Sequence, residues 1–464
     1  MQRQKFKKFS GMLCTVLLSL SITACNGGSE PVPEGSVEAG MSQEESREAD
    51  SSLETQTTEG QEESSLAETQ TAESQEESAS EEPAKETTAQ DADKEEEGYT
   101  IAHFDLPEGE VFDMLYDMKI GWNLGNTFDA IDCNWLSNEL DYESAWCGAK
   151  TTTALIDELK EAGFNTIRIP VSWHNHVSSR EEGYVISEAW LNRVTEVVDY
   201  CLSKDMYVII NIHHDNNVNY LYPSTPYLEQ SKDYITCIWT QLSEHFKDYD
   251  HKLLFEGMNE PRLVGHNNEW WIDPNNADCI DAISCINELN QTFVDTVRAS
   301  GGNNASRYLL CPGYCASPDG VLNKGFVFPT DPVNNDNHII LEVHSYSPYS
   351  FALESPGTDT WSSKNGRNTG DAVSFMNDLY KKYVSNGIPV LIDEFGSQEK
   401  NGNLESRIDH AGYYIASARA RGITCVWWDN NLMQGNGERF GIIDRNSLKW
   451  AFPEIVEAMM KYAQ

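Results

Sequence analysis

Two glutamates are the residues of this sequence best suited to chemistry. Glu260 stands in the stretch LLFEGMNEPR, residues 253–262, and Glu394 stands in the stretch LIDEF, residues 391–395. Each follows a strand-like apolar run, and Pro261 cannot donate to a sheet ladder, so the first run ends there. A carboxylic acid that protonates a leaving oxygen and a carboxylate that faces an anomeric carbon are what glycosidic bond hydrolysis requires. A turn at Glu260 and a loop charge or helix N-cap at Glu394 are the simpler interpretations.

Eight strand-like segments alternate with amphipathic helical segments and must position these two carboxylates. The strand-like segments begin at Ile120, Thr166, Tyr207, Lys252, Tyr308, His338, Pro389 and Thr424. Their near-continuous apolar character is typical of parallel strands that are covered on both faces. Eight such repeats predict an α/β fold that closes as a (β/α)8 TIM barrel.

Polar residues fall at the ends of seven of the predicted strands. They are Asn126, Arg168, His213, Glu260, His344 with Tyr346, Glu394, and Trp428 with Asp429. In a barrel all carboxyl ends of the strands face the same way, and active sites are built there from several strands. Any one of these residues could be a core or loop group, but their shared position predicts one cleft.

Several of these side chains suit the two-carboxylate chemistry. Arg168 could keep Glu394 ionised, because a nearby cation favours the charged form, or it could be a structural salt bridge in the barrel. Tyr346 could donate a hydrogen bond to Glu394, and His344 points the same way along its strand. The amide of Asn259 suits a sugar 2-hydroxyl, a contact that strengthens in the transition state.

The stretch HHD, residues 213–215, and the pair Trp427-Trp428 each raise an alternative. HHD could belong to a metal site. Because adjacent strand residues point to opposite sides, His213 and His214 would not easily bind one ion, and we expect no metal and no organic cofactor. His213 is expected to hydrogen-bond in the cleft, with His214 supporting it or contacting substrate. Trp428 offers a flat apolar face for a sugar ring, and Trp427 alternates into packing.

The first quarter of the chain has a different composition. Residues 1–24 have a basic start and a short apolar run, below the ~20 residues needed to span a bilayer, so they predict a signal peptide. The sequence Ile22-Thr23-Ala24-Cys25 is similar to a bacterial lipobox, which implies lipidation of Cys25; an ordinary signal peptide is the alternative. We expect a lipid-anchored protein on the extracellular face of the bacterial envelope, with no other membrane contact.

Residues 25–98 predict a disordered acidic linker. Positions 26–98 hold 23 acidic and 3 basic residues, and they are rich in Ser, Thr, Glu and Gln with almost no aromatic residues. Such a segment cannot bury enough apolar surface to offset chain entropy. Residues 99–464 then form the ordered domain, which is expected to be a monomer. The formal net charge of −41 argues against a nucleic-acid partner and suits a neutral substrate.

Eleven cysteines are present, and nine of them lie in the ordered domain. The pairs Cys133/Cys147 and Cys279/Cys285 stand in loop-like stretches and could form disulfides. The remaining cysteines of the domain suit plain packing better, and Cys311 with Cys315 is only a weak metal signal.

The strand motifs, taken in order, resemble glycoside hydrolase family 5. They are GWNLGNTFD, TIRIPVSW, IINIHH, EGMNEP, LEVHSYSPY, LIDEFG and VWWDNN, and they cover roughly residues 110–464. The closest similarity is to subfamily 4, whose members are endo-β-1,4-glucanases, often with xyloglucan, mixed-linkage glucan or xylan activity.

The resemblance implies a (β/α)8 barrel and a retaining double displacement on β-glucan. It implies that Glu260 is the general acid/base and Glu394 the nucleophile. It further implies that the surrounding positions support or bind substrate: Asn126, Arg168, His213, Asn259, His344, Tyr346 and Trp428.

Other specificities and roles stay open. A xyloglucanase, lichenase or mannanase would use the same mechanism, and a non-catalytic surface glycan-binding lipoprotein is the alternative from another class. The insert CNWLSNELDYESAWC carries Trp135 and Trp146, which either add subsites or pack the loop.

Overall fold

The computed structural model describes residues 98–334 and 338–463. The predicted signal peptide, the lipidation site Cys25 and nearly all of the linker lie outside the described residues. Within the described ranges, none of the helices combines the length and the apolar character needed to cross a bilayer.

Eight parallel strands form a closed barrel, which confirms the predicted TIM-barrel fold. Each strand pairs with the next, and β1 pairs with β8. The strands are β1 Ile120–Leu124, β2 Thr166–Ile169, β3 Tyr207–Asn211, β4 Leu253–Glu256, β5 Leu309–Pro312, β6 Ile339–His344, β7 Val390–Phe395 and β8 Thr424–Asp429. Every residue of these eight strands is buried, because side chains face either the barrel interior or the surrounding helices.

The helices surround the barrel. They are α1 Glu110–Asp117, α2 Thr153–Glu161, α3 Glu188–Leu202, α4 Leu228–His245, α5 Ala277–Ala299, α6 Pro318–Leu322, α7 Tyr349–Ala352, α8 Gly366–Lys382, α9 Leu404–Arg419 and α10 Pro453–Tyr462. A short hairpin of β9 Ile443–Asp444 and β10 Lys449–Trp450 precedes α10.

Helix α3 illustrates why these segments are helical. Its buried residues Trp190, Val194, Val197, Val198 and Cys201 recur at helical spacing and form one stripe facing the barrel. Capping side chains mark the start of some helices, as at Thr152, which accepts the backbone N–H of Leu155 before α2.

Helix α1 closes the amino-terminal end of the barrel. Its apolar residues pack with the first interior residues of β3 to β7 in a separate cluster: Val111, Met114, Leu115, Met118, Tyr207, Ile209, Leu254, Tyr308, Leu310, Ile340 and Leu391. The hydroxyl of Thr424 on β8 donates to the carbonyl of Leu115, and the hydroxyl of Thr166 on β2 donates to the carbonyl of Met118 at 3.0 Å. This end of the barrel is therefore apolar and closed, and polar side chains are concentrated at the other end.

An irregularity in β6 and β7 changes which side chains face inward. The pairing register shifts between Val343 and His344 on β6, and between Ile392 and Phe395 on β7. As a result the consecutive residues Asp393 and Glu394 both lie near the guanidinium of Arg168, at 3.5 and 2.7 Å. A regular strand would have sent one of them outward.

The proposed disulfides are wrong: all nine cysteines of the described residues are free. Cys279 and Cys285 both lie on α5, where six residues rise roughly 9 Å, beyond the reach of a disulfide. The thiols of Cys133 and Cys147 instead contact the backbone carbonyls of Ile131 and Ala149, at 3.4 and 3.2 Å.

Candidate active site

Glu260 and Glu394 meet at the carboxyl-terminal end of the barrel, on either side of His344. His344 Nδ1 lies 3.0 Å from Glu260 Oε1 and 3.6 Å from Glu394 Oε2. One donor or acceptor atom from each of the three side chains falls within 4.8 Å of the others. The two carboxylates that the sequence singled out, from the ends of β4 and β7, therefore face each other in one site.

Arg168 on β2 hydrogen-bonds to several residues of this site from the barrel interior. Its five N–H groups are all used: Nε and Nη2 donate to Glu256 at 2.6 and 2.7 Å, and Nη1 donates to Glu394 Oε1 at 2.7 Å. The remaining two donate to the amide oxygens of Asn123, at 3.0 Å, and Asn259, at 2.7 Å. The side chain is fully buried, so both predicted roles, an ion pair in the barrel and a contact to Glu394, are present together.

Tyr346 and Asn259 are two further polar residues beside the glutamates. The Tyr346 hydroxyl donates to Glu394 Oε2 at 2.8 Å, as expected from the sequence. Burial and the neighbouring charge of Glu394 raise the pKa of Tyr346 well above its usual value, so the phenol stays a donor. Because the oxygen of Asn259 accepts from Arg168, the amide nitrogen is the atom left to meet a ligand.

The pKa values of Glu260 and His344 shift in opposite directions. Burial favours the neutral acid, but the hydrogen bond and charge of His344, together with the charge of Arg262, lower the pKa of Glu260 to about 2. Burial likewise opposes the charge on His344, yet Glu394 and the bond to Glu260 raise the pKa of His344 to about 9. Near neutral pH these opposite pKa shifts favour a Glu260 carboxylate paired with a His344 imidazolium.

The backbone around Glu260 is fixed by neighbouring loops. Asn216 Nδ2 donates to the Glu260 carbonyl at 2.7 Å, and the Cys315 N–H donates to the Pro261 carbonyl at 2.9 Å. Arg262 Nη1 lies 3.4 Å from Glu260 Oε2. These contacts leave the acid little freedom to move.

His213 and His214 lie beside each other, which corrects the expectation drawn from strand alternation. Strand β3 ends at Asn211, so the rule does not apply to them, and their rings are 4.3 Å apart. The Asn211 amide donates to His213 Nδ1 at 3.0 Å. Burial and the charge of His214 lower the pKa of His213 well below its usual value; burial and Arg262 lower the pKa of His214 to about 4. Both rings are neutral near pH 7.

Asp129 lies beside these histidines and holds the backbone of the loop after β1. Donor atoms of Asp129, His213 and His214 fall within 4.8 Å of one another. However, the two Asp129 oxygens already accept the backbone N–H groups of Asn126, at 3.0 Å, and Thr127, at 2.6 Å. The contacts describe a buried anchor for the loop after β1, which carries Asn126 in a left-handed backbone conformation.

Two tryptophans flank the histidines. Trp428 at the end of β8 lies parallel to His213, with ring centroids 5.9 Å apart, whereas Trp427 is buried against Phe395. In the insert, the ring of Trp146 lies 5.9 Å from that of His214, and Trp135 is 71% exposed. Trp146 therefore borders the site, and the subsite interpretation suits it better than Trp135.

A cleft of about 810 Å³ opens beside Glu260, His344 and Tyr346. Its walls carry the exposed aromatic residues Trp270, Trp271 and Tyr349 and the charged residues Glu438 and Arg439. The Arg262 guanidinium stacks on Trp270 at 4.0 Å. A cleft of this volume with aromatic walls suits a neutral extended ligand better than a small ion.

Sequence reasoning missed the buried layer beneath the glutamates. It consists of Asn123, Asn211, Glu256, Glu342 and Asp393, all without exposed surface. The available signal was their type, since carboxylates and amides inside apolar strands demand partners. All ten predicted site residues lie at this end of the barrel.

Comparison with protein families gives one match. The chain matches the family described as Cellulase (glycosyl hydrolase family 5) over residues 126–434. It is 42% identical over 352 residues to the cellulase/esterase CelE of Acetivibrio thermocellus, an alignment covering 76% of this chain and 40% of that protein. The chain thus spans about two fifths of the length of this curated relative.

Solved structures are similar over nearly their whole length. A GH5 family lichenase from Caldicellulosiruptor sp. has 55% sequence identity and a TM-score of 0.78, and the match covers 79% of this chain and 99% of that one. A GH5-4 broad specificity endoglucanase from Ruminococcus champanellensis with bound cellotriose has 44% identity and a TM-score of 0.70, covering 77% and 100%.

Proposed function

The chain belongs to glycosyl hydrolase family 5, the cellulase family, and on this premise we propose that it is a retaining endo-β-1,4-glucanase. The observation that carries the proposal is the spacing of the two glutamates, whose nearest oxygens lie within 4.8 Å. Carboxyl groups about 5–5.5 Å apart allow direct attack on the sugar, whereas inverting enzymes keep about 6.5–9.5 Å for a water.

In the first step Glu394 attacks the anomeric carbon. Arg168 and Tyr346 each hold one of its oxygens, so the carboxylate is oriented before substrate arrives. Glu260 protonates the leaving glycosidic oxygen. A covalent glycosyl-enzyme forms on Glu394 and the leaving chain departs with the new hydroxyl.

The proton for that step is held between His344 and Glu260. Their atoms are 3.0 Å apart, within reach for transfer from the imidazolium to the carboxylate. In the second step Glu260 takes a proton from the attacking water, and hydrolysis restores Glu394 with the original configuration. The network thus serves both an acid and a base step with one residue.

The remaining predicted residues would bind the sugar. The free amide nitrogen of Asn259 suits the 2-hydroxyl, and the neutral rings of His213 and His214 offer hydrogen bonds that do not depend on pH near neutrality. Trp428 supplies a flat face for a pyranose, and Asn126 lies on the loop anchored by Asp129.

The similar solved structures support a β-glucan substrate. One is a lichenase and another a broad specificity endoglucanase holding cellotriose, so we propose β-1,4-glucan and mixed-linkage glucan as substrates. Xyloglucan, xylan and mannan are the alternatives that the test must rank.

The test is reducing-end release by the purified protein on carboxymethylcellulose, mixed-linkage glucan, xyloglucan, xylan and mannan. Glu394→Gln should abolish release while retaining binding. Glu288→Gln, which removes an exposed carboxylate on α5 that pairs with Lys232 of α4, is the matched control and should keep full activity. Binding without release by the unmodified protein would favour the non-catalytic glycan-binding role.

We also propose that residues 1–24 direct export, that Cys25 carries lipid and that residues 25–98 tether the domain of residues 99–464 outside the cell. The support is the sequence pattern alone. Cys25→Ser should release the protein from the membrane fraction, and limited proteolysis should cut before residue 98 and leave a resistant domain. Retention of the variant on the membrane would refute the anchor.

A further inference from the structure

Two carboxyl groups beneath the site have no explanation in the proposed mechanism. Glu342 on β6 and Asp393 on β7 are fully buried. Among the described residues, none donates a hydrogen bond to any of their four oxygens. A buried carboxylate without donors is very costly, and buried charges are normally paired and hydrogen-bonded.

The nearest cations are already committed to other groups. Arg168 Nε lies 3.5 Å from Asp393 Oδ2, but all five of its N–H groups donate elsewhere. His344 Nε2 lies 3.5 Å from Glu342 Oε1 and 3.5 Å from Asp393 Oδ1, while Nδ1 bonds Glu260. At most one hydrogen atom, at long distance, is available for four oxygens.

The carboxylates around the pair already outnumber the cations without it. Three cations, Arg168, Arg262 and His344, face four carboxylates, Glu256, Glu260, Glu269 and Glu394. The group that faces Glu342 from β5 is the neutral thiol of Cys311. Any negative charge on Glu342 or Asp393 would therefore be uncompensated inside the barrel.

We propose that Glu342 and Asp393 are both neutral carboxylic acids while the enzyme works, and that this neutral pair directs the charge of His344 toward Glu260. If Glu342 and Asp393 were ionised, their carboxylates would attract the His344 imidazolium at Nε2. That attraction would compete with the contact between Nδ1 and Glu260. With the pair neutral, the charge of His344 faces the carboxylates of Glu260, 3.0 Å from Nδ1, and Glu394, 3.6 Å from Nδ1. Glu342 and Asp393 act through His344 and are positioning residues, so this inference rests on the proposed function.

The electrostatics of the pair agree with its geometry. Burial, followed by the charge of Glu256, raises the pKa of Glu342 well above its usual value. Burial also raises the pKa of Asp393 well above its usual value, with Glu256 adding to it and Arg168 opposing it.

Infrared spectroscopy tests the protonation directly and needs no activity. In the protein labelled with carboxyl-¹³C Glu and Asp, a carbonyl band of protonated carboxyl groups should persist from pH 7 to pH 8. The double variant Glu342→Gln/Asp393→Asn should lose that band. A wild-type spectrum with carboxylate bands alone would overturn the proposal, whether or not the variant folds and whether or not the chain hydrolyses glucan.

Unfolding gives a second readout. Two protons kept in the folded state are released on unfolding near pH 7, so wild-type stability must fall as pH rises. Relative to the double variant, the wild-type unfolding equilibrium constant should rise about a hundredfold per pH unit between pH 6 and 8. Equal pH slopes for the two proteins would contradict the neutral pair.

The pH profile of kcat/KM distinguishes a neutral pair from an ionised one. Replacing a neutral acid by its amide keeps the charge, so Glu342→Gln and Asp393→Asn should leave both limbs within about half a pH unit. Glu256→Gln, which removes a true counter-ion of Arg168, is the contrasting variant and should move a limb by more than about one unit. A comparable movement in either amide variant of the pair would show an ionised carboxylate and overturn the proposal.

Discussion

The hydroxyl of Tyr346 offers the sharpest test of how Glu394 is held. Tyr346→Phe removes one oxygen atom and leaves the ring, which packs against Phe440 with centroids 5.2 Å apart. Glu394 then keeps its bond from Arg168 to Oε1 and loses the donor to Oε2. The carboxylate can rotate about its last bond, so the pre-oriented attack geometry is lost.

The magnitude follows from the type of bond. An O–H···O⁻ contact of 2.8 Å is a charge-assisted hydrogen bond, worth about 1.5–3 kcal/mol. At about 1.4 kcal/mol per factor of ten, kcat should fall roughly 10- to 150-fold.

The assay is kcat and KM on mixed-linkage glucan across pH 4 to 10, with Tyr414→Phe as the matched control. Tyr414 is also buried, but its hydroxyl donates to the backbone carbonyl of Ser345 at 2.9 Å. Its removal costs stability by about 1 kcal/mol and should leave the profile unchanged.

Two results would refute the reasoning. An unchanged kcat in Tyr346→Phe would mean that Arg168 alone orients the nucleophile. Equal losses in Tyr346→Phe and Tyr414→Phe would mean that the effect comes from the fold around β6 and not from the bond to Glu394.

Three further predictions concern the cleft and its frame. Trp271→Ala removes an exposed cleft aromatic and should raise KM for polymer roughly 2- to 12-fold with kcat nearly unchanged; a fall in kcat alone would contradict a binding role. Burial opposes the charge of Asp331, but hydrogen bonds led by that from Arg298 lower the pKa of Asp331 to about 2. The contribution of this ion pair to the free energy of unfolding is therefore present above about pH 4 and lost toward about pH 2. The stability gap between wild type and Asp331→Asn, measured by urea unfolding, should therefore close on acidification, and a constant gap would reject the ion pair. Gly320→Ala would press a Cβ onto the carbonyl of Tyr314 and should lower the free energy of unfolding by about 1–3 kcal/mol, where no loss would show that this turn can relax.

The barrel and the mouth of the site were predictable from the sequence. When apolar parallel strands that end in polar residues close into a barrel, those ends all lie at one face of the barrel. This reasoning led to Glu260 and Glu394 although 134 positions separate them in the sequence, and the structure brings them together.

The layer below the site was not predictable, because it depends on tertiary packing. The sequence of a strand does not show whether a carboxylate such as Glu256 pairs with an arginine or faces solvent. Asp393 faces inward because the register shifts, and nothing in the sequence indicates this irregularity. The alternation rule failed at His213 for a related reason: the strand had already ended.

Helix α1 closes the amino-terminal end of the barrel, and its place in the sequence determines when it can be buried during synthesis. Its residues are made before every strand they cover, and the threonine that bonds the Leu115 carbonyl follows 309 residues later. At 5–20 residues per second a ribosome needs roughly 15–60 s to supply it. Until then the apolar face of α1 has no barrel to enter. The apolar residues of α1 are thus among the last of the domain to be fully buried, and the nascent chain exposes them for most of its synthesis.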